Sequence, residues 1–154
     1  MAVAVTNQQR RVPIPRGRVC RIAAAAMRAL GRPGAEVHLT FVDDARVKRL
    51  NGRYRGTRRA TDVLAFRLEG PGPSALLGEV IVSAETASRQ ARRLGIPVGR
   101  ELELMVVHGI LHLVGWDDRN PLEARLMHER ERAILRRASG PVPERLWSGL
   151  LKTA

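Results

Sequence analysis

The sequence predicts one domain of the α/β (α+β) class, a small β-sheet surrounded by about five helices. Short apolar runs with period-two alternation are interleaved with longer runs of helical period. Gly and Pro punctuate the boundaries between them. A hydrophobic fraction of 44% in 154 residues is enough to bury one core.

Ala2–Thr6 reads as a strand. Arg18–Leu30 reads as a helix stopped by Gly31 and Pro33. Glu36–Val42 alternates through Val37, Leu39 and Phe41, a strand signature. Asp43 or Asp44 can cap a helix running through Leu50 and Asn51. Asp62–Arg67 and Gly78–Ser83 read as strands flanking Gly70-Pro71-Gly72-Pro73-Ser74, an exposed loop. Ser83 opens a helix over Glu85–Leu94 that Gly95 and Pro97 stop. Arg100–Val114 is an apolar helix, and Pro121–Arg137 a charged amphipathic one. Residues 1–16 and 140–154 are expected to be loosely ordered ends. The pattern leaves the strand order open.

Charge narrows the partner. Lys+Arg number 27 against 15 Asp+Glu, a formal net charge of +12. Almost all of it is Arg, since Lys48 and Lys152 are the lysines. A GC-rich coding sequence would favour Arg over Lys, yet it does not account for the excess of base over acid. Such a field attracts polyanions through phosphate contacts and counterion release, so RNA or DNA is the expected partner. Aromatic residues make up 3% of the chain, which argues against base-stacking platforms. The single cysteine, Cys20, excludes an internal disulfide and fits a reducing cytoplasm. No secretory leader is evident, because Gln8 to Arg11 turns polar and basic too early. No apolar run approaches the ~20 residues needed to cross a bilayer.

The chemistry concentrates in His108-Gly109-Ile110-Leu111-His112-Leu113-Val114-Gly115-Trp116-Asp117-Asp118. Histidines at i and i+4 share one helix face. Both rings can reach one ion at about 2.0–2.1 Å, the usual Zn–N distance. The plain alternative, two histidines buried among Leu and Val, would leave each ring in need of hydrogen-bond partners. Gly115 suits a helix stop, after which the chain can turn back and present Asp118 as a third ligand. Asn120, Pro121 and Glu123 already supply the cap of the next helix, so Asp118 is not needed there. Asp117 is read as a hydrogen-bonding or turn residue. The spacing is close to that of zinc peptidases, but their general base falls on Gly109, which has no side chain. A metal-activated water acting on a phosphodiester is the better match to the charge.

This run resembles the signature of the YbeY family, zinc-dependent endoribonucleases of bacteria. Leu50-Asn51-Gly52-Arg53-Tyr54-Arg55-Gly56, Thr61-Asp62-Val63-Leu64-Ala65-Phe66 and Gly78-Glu79-Val80-Ile81-Val82-Ser83 resemble further family segments in the same order. The resemblance spans about residues 37 to 137. It implies a mixed sheet and one Zn2+ per chain held by three protein ligands, with His108 and His112 at matching positions. It also implies cytoplasmic, single-strand-specific work on ribosomal RNA, including maturation of the 16S 3′ end, and a part in ribosome quality control. Ribosomal particles, small-subunit proteins and assembly GTPases are the implied partners, and Arg55 the catalytic arginine. Arg55 lies in a basic cluster with Arg53, Arg58, Arg59 and Arg67, where guanidinium groups could grip a phosphate.

The chain departs from the family at several positions. Asp118 stands where the family usually has His, Arg58 replaces an acidic residue, Ala60 replaces Pro, and Arg67 replaces Pro. A carboxylate ligand lowers the positive charge of the site and favours harder metals. It is also expected to raise the pH optimum relative to an Asp118→His variant. Two other classes remain open. One is a non-catalytic RNA-binding assembly factor with a structural zinc, which would need a fourth ligand such as His128 or Cys20. The other is a peptidase, which Gly109 disfavours.

Overall fold

The computed structural model describes residues 3–54, 63–67 and 76–147, with the side chains of residues 51–54 outside the description. Strands β1 (Val3–Asn7), β2 (Glu36–Val42), β3 (Val63–Arg67) and β4 (Leu76–Ser83) form one sheet in the order β1-β2-β4-β3. β1 and β2 are parallel, as are β2 and β4, whereas β3 runs antiparallel to β4 with Val63 opposite Val82 and Arg67 opposite Gly78. The sheet is therefore mixed. Helices α1 (Arg16–Ala29), α2 (Asp44–Tyr54), α3 (Ala84–Leu94), α4 (Val98–Leu113) and α5 (Pro121–Ser139) surround it. The fold class and the five helices agree with the sequence reading.

Alternation sorts the strand residues between two faces. Val80 and Val82 of β4 join the main core under α4, while Ile81 and Leu64 join Val42 and Val47 in a smaller cluster beneath α2. α4 is the centre of the molecule. Its residues from Glu101 to Leu111 are buried all round, packed between the sheet, α1, α3 and α5. Each fully buried Leu, Ile or Met there contributes about 1.5–3 kcal/mol. The helix also carries Glu103 inward, where Arg18 of α1 pairs with it at 3.0 Å.

Gly109 is explained by this packing. A Cβ on Gly109 would lie 2.4 Å from Cγ1 of Val80 and 3.3 Å from Cγ2 of Val63. The missing side chain lets the helix approach the sheet. That position faces the strands, so a carboxylate there would point into the core.

The described parts of both end segments contribute to the packed structure, while residues 1–2 and 148–154 of the expected loose ends lie outside the described residues. β1 pairs with β2, and a 3-10 turn at Glu144–Trp147 buries Leu146 and Trp147 against the main core. After Gly140 ends α5, the chain returns to the core at Leu146 and Trp147.

Candidate metal centre

Helix α4 ends in the way its sequence requires. Gly115 has φ 103°, and its N–H donates to the carbonyl of His112 at 3.1 Å, while Trp116 N–H donates to Leu111 at 3.0 Å. These two bonds make a Schellman turn, which closes the helix and reverses the chain. Asn120 then caps α5, its Oδ1 accepting from the Glu123 N–H at 2.9 Å. Asp117 is spent within the turn, accepting from the Asp118 N–H and pairing with Arg119. Asp118, free of capping, is carried back over α4.

Three donors converge. His108 Nε2 and His112 Nε2 are 3.2 Å apart, and the Asp118 carboxylate lies 3.6 Å from each. Ligand atoms set tetrahedrally at 2.0–2.1 Å around zinc would be roughly 3.3–3.4 Å apart. The spacing therefore fits one small divalent cation. Exposure rises across the set, with side-chain values of 7% for His108, 24% for His112 and 39% for Asp118. The pocket is thus buried on the α4 side and open to solvent on the Asp118 side. Among the described residues no fourth His, Cys, Asp or Glu joins the group. His128 is turned away, and Cys20 sits half-buried in α1.

The structure adds a residue that sequence reasoning missed. Glu131 of α5 is fully buried, and its Oε2 lies 2.6 Å from His108 Nδ1. Its Oε1 lies 2.9 Å from His128 Nδ1 and accepts from Trp147 Nε1 at 3.1 Å. Burial pushes its carboxyl pKa up, but the charges and hydrogen bonds of His108 and His128 outweigh this and hold it below the ordinary value. An ionised carboxylate only accepts, so both Nδ1 atoms carry protons. In its neutral form His108, with Nδ1–H held by Glu131, turns a lone pair on Nε2 toward Asp118 and His112. Such a carboxylate fixes ring orientation and raises the basicity of the ligand nitrogen. A sequence signal existed. Glu131 falls on the buried stripe of α5 with Met127, Ile134 and Leu135, where an unpaired carboxylate would be costly.

Of the basic cluster, Arg67 is placed beside the site, its Nη2 donating to the His112 carbonyl at 3.4 Å. Arg55, Arg58 and Arg59 lie outside the described residues, and of Arg53 only its place in α2 is described.

A histidine pair on the central helix, completed by a carboxylate from its C-terminal turn, defines an α+β protein built around a candidate metal site. The family model described as endoribonuclease YbeY matches residues 4–139, and the chain belongs to the YbeY endoribonuclease family. Endoribonuclease YbeY of Anaeromyxobacter dehalogenans is 48% identical over 128 residues, covering 82% of this chain and 66% of that protein. The YbeY of Anaeromyxobacter sp. strain Fw109-5 is 43% identical over 97% of this chain and 78% of its own length. That of Moorella thermoacetica is 42% identical over 88% of this chain and 96% of its own length. In fold, the solution structure of TM1509 from Thermotoga maritima is similar at a TM-score of 0.59 and 22% identity, covering 97% of this chain and 92% of that one.

Proposed function

We propose that this chain is a zinc-dependent endoribonuclease, a hydrolase of RNA phosphodiester bonds. Its His108, His112 and Asp118 hold one Zn2+ per chain. The observation that carries the reading is the convergence of His108 Nε2, His112 Nε2 and the Asp118 carboxylate on one solvent-open point. Family membership supplies the substrate class. The finer assignment is single-stranded ribosomal RNA in the cytoplasm, with maturation of the 16S 3′ end, rRNA processing and ribosome quality control as its tasks. Ribosomal particles, small-subunit proteins and assembly GTPases would be its partners. Among the described residues no helix is long and apolar enough to cross a membrane.

When bound, zinc would supply Lewis acidity, drawing charge from a phosphoryl oxygen. The chain does the rest. Glu131 keeps His108 in the tautomer that presents Nε2. Arg67 and, in this proposal, Arg55 set guanidinium groups to grip the phosphate and stabilise the charge that grows on it. Arg53, Arg58 and Arg59 would hold flanking phosphates. A structural zinc would instead call for a closed set of four protein donors. The open side at Asp118 favours catalysis over the RNA-binding factor.

The test is metal content of the purified protein beside Asp118→Ala, followed by cleavage of single-stranded RNA by both and by His108→Ala. About one zinc per chain, largely lost in the variants together with cleavage, is the expected result. Full zinc in Asp118→Ala would remove Asp118 from the site. No metal in the native protein would overturn the catalytic reading.

A further inference from the structure

We propose that the trough between α1 and α5 is a second RNA contact, a track for the phosphate backbone separate from the metal centre. The inference rests on the endoribonuclease reading for the identity of the polyanion. The trough has a volume of about 1000 Å³. Arg21 and Arg28 line it from α1, and Arg130 and Arg137 from α5. Each pair is seven residues apart, two helical turns, so the four side chains flank the trough as two rows about 10 Å long. Between them lie Ala24 and Ala25 on one wall and Ala133 on the other, too small to fill the space.

Most of the arginine charge in this trough is not balanced by the described residues of the protein. Arg18 at its base is neutralised by buried Glu103 at 3.0 Å, and Arg130 donates to the carbonyl of Ala29. Arg21, Arg28 and Arg137 make no ion pair or side-chain hydrogen bond with any described residue. Three like charges held along one concavity repel one another, and a bound polyanion would relieve that. Guanidinium groups match phosphate in a bidentate fashion. An acidic protein segment would find the same charge, but protein interfaces anchor on aromatic or large apolar side chains set in pockets. The apolar part of this trough is mostly alanine, its two isoleucines, Ile22 and Ile134, are themselves buried in the core, and no aromatic residue is among its described lining residues. Phosphate backbone is the better fit.

The track also shares its helices with the metal centre. α4 sends Glu103 to the trough and His108 to the metal site, and α5 sends Arg130 and Glu131 to the same two places. A long RNA could thus be held at two points by one rigid unit, whereas a short one could not.

The experiment compares native protein with Arg21→Gln/Arg28→Gln/Arg137→Gln and with Ala133→Glu, which plants an opposing charge at an exposed helical site. A control triple, Arg46→Gln/Arg92→Gln/Arg93→Gln, removes equal charge from the exposed surfaces of α2 and α3. Affinity for a long single-stranded RNA is read against salt, and cleavage is read on a short oligonucleotide. The trough triple should lower the slope of log K on log salt by about 2, as three lost phosphate contacts on a single strand imply. Its affinity should fall about tenfold or more near physiological salt. Ala133→Glu should weaken binding in the same direction. Short-oligonucleotide cleavage and metal content should stay native in both, and the control should change the slope less.

An unchanged slope in a folded trough triple, or an equal loss in the control, overturns the track. So does capture of a poly-glutamate peptide that the trough triple abolishes while RNA binding stays native. If native protein cleaves no RNA yet the trough triple still loses slope, the catalytic reading fails and the track stands.

Discussion

Glu131 is surrounded by donors, and this makes its chemistry hard to replace. The rings of His108 and His128 and the indole of Trp147 all offer N–H groups to it. In Glu131→Gln an amide NH2 must face one of them, and His108 loses the charge that fixes its tautomer. Metal affinity should fall about 10–100-fold, measured by competition with a chelator, while the far-UV circular dichroism stays native. Asp118 makes the opposite kind of test. It contributes a negative charge that a histidine would not, so Asp118→His should move the pH optimum of RNA cleavage downward. Superimposable pH–rate profiles for the two proteins would show that the carboxylate does not set the acidity of the site.

Among the elements, α4 and α2 show how packing and polar contacts divide the work. Gly109→Ala gains about 1 kcal/mol of helix propensity but drives a methyl into Val80, and overpacking of this kind costs about 1–3 kcal/mol. Net destabilisation is expected in urea denaturation. Val80→Ala should recover much of it, appearing as a coupling in the double-mutant cycle. Asp44, at the start of α2, accepts from the hydroxyls of Ser83 and Thr86 and pairs with Arg89, tying α2 to the start of α3. Burial pushes its carboxyl up, but these hydrogen bonds and the Arg89 charge prevail and hold it below the ordinary aspartate value. The unfolded chain therefore binds the proton more readily. The stability from Asp44 is present above the unfolded pKa and is lost as pH falls through the folded one. Below pH about 4, the ordinary aspartate range, unfolding free energy should fall more steeply for the native protein than for Asp44→Asn.

The same elements show what was legible in the sequence. The two histidines, the Gly115 stop, the Asn120 cap and the Ser83 cap are signals carried within one helical turn, and the structure shows each cap and stop in place. Gly109 was read as a missing base, when its cause is the approach of α4 to Val80. Glu131 was hidden by its neighbours, since Glu129, Arg130 and Arg132 make the segment look uniformly solvated. Its partner His108 lies 23 residues away, a pairing that only the packing of α5 on α4 creates.

At the scale of the whole molecule, sequence alternation identified strands but not their order, because β2 recruits β4 across a stretch containing α2 and β3. The trough between α1 and α5 likewise depends on helices far apart in sequence. The candidate metal centre draws on α4, its closing turn and, through Glu131, α5. A ligand bound only by the native state stabilises it by about 2.7 kcal/mol at a hundredfold excess over Kd. Removal of metal should therefore lower the melting temperature in calorimetry, and His108→Ala should melt at the same temperature with or without chelator.

Trp147 gives this linkage an optical consequence. Its indole N–H is bonded to the carboxylate that holds His108, and the Arg132 guanidinium lies 4.9 Å from its ring centre. A change of charge at the histidine alters the electric field felt by the ring. In a Trp116→Phe background, where Trp147 is the one remaining indole, its fluorescence should shift in wavelength or intensity as metal is titrated in. The chain would then report the occupancy of its own site by the light it emits, with no attached dye.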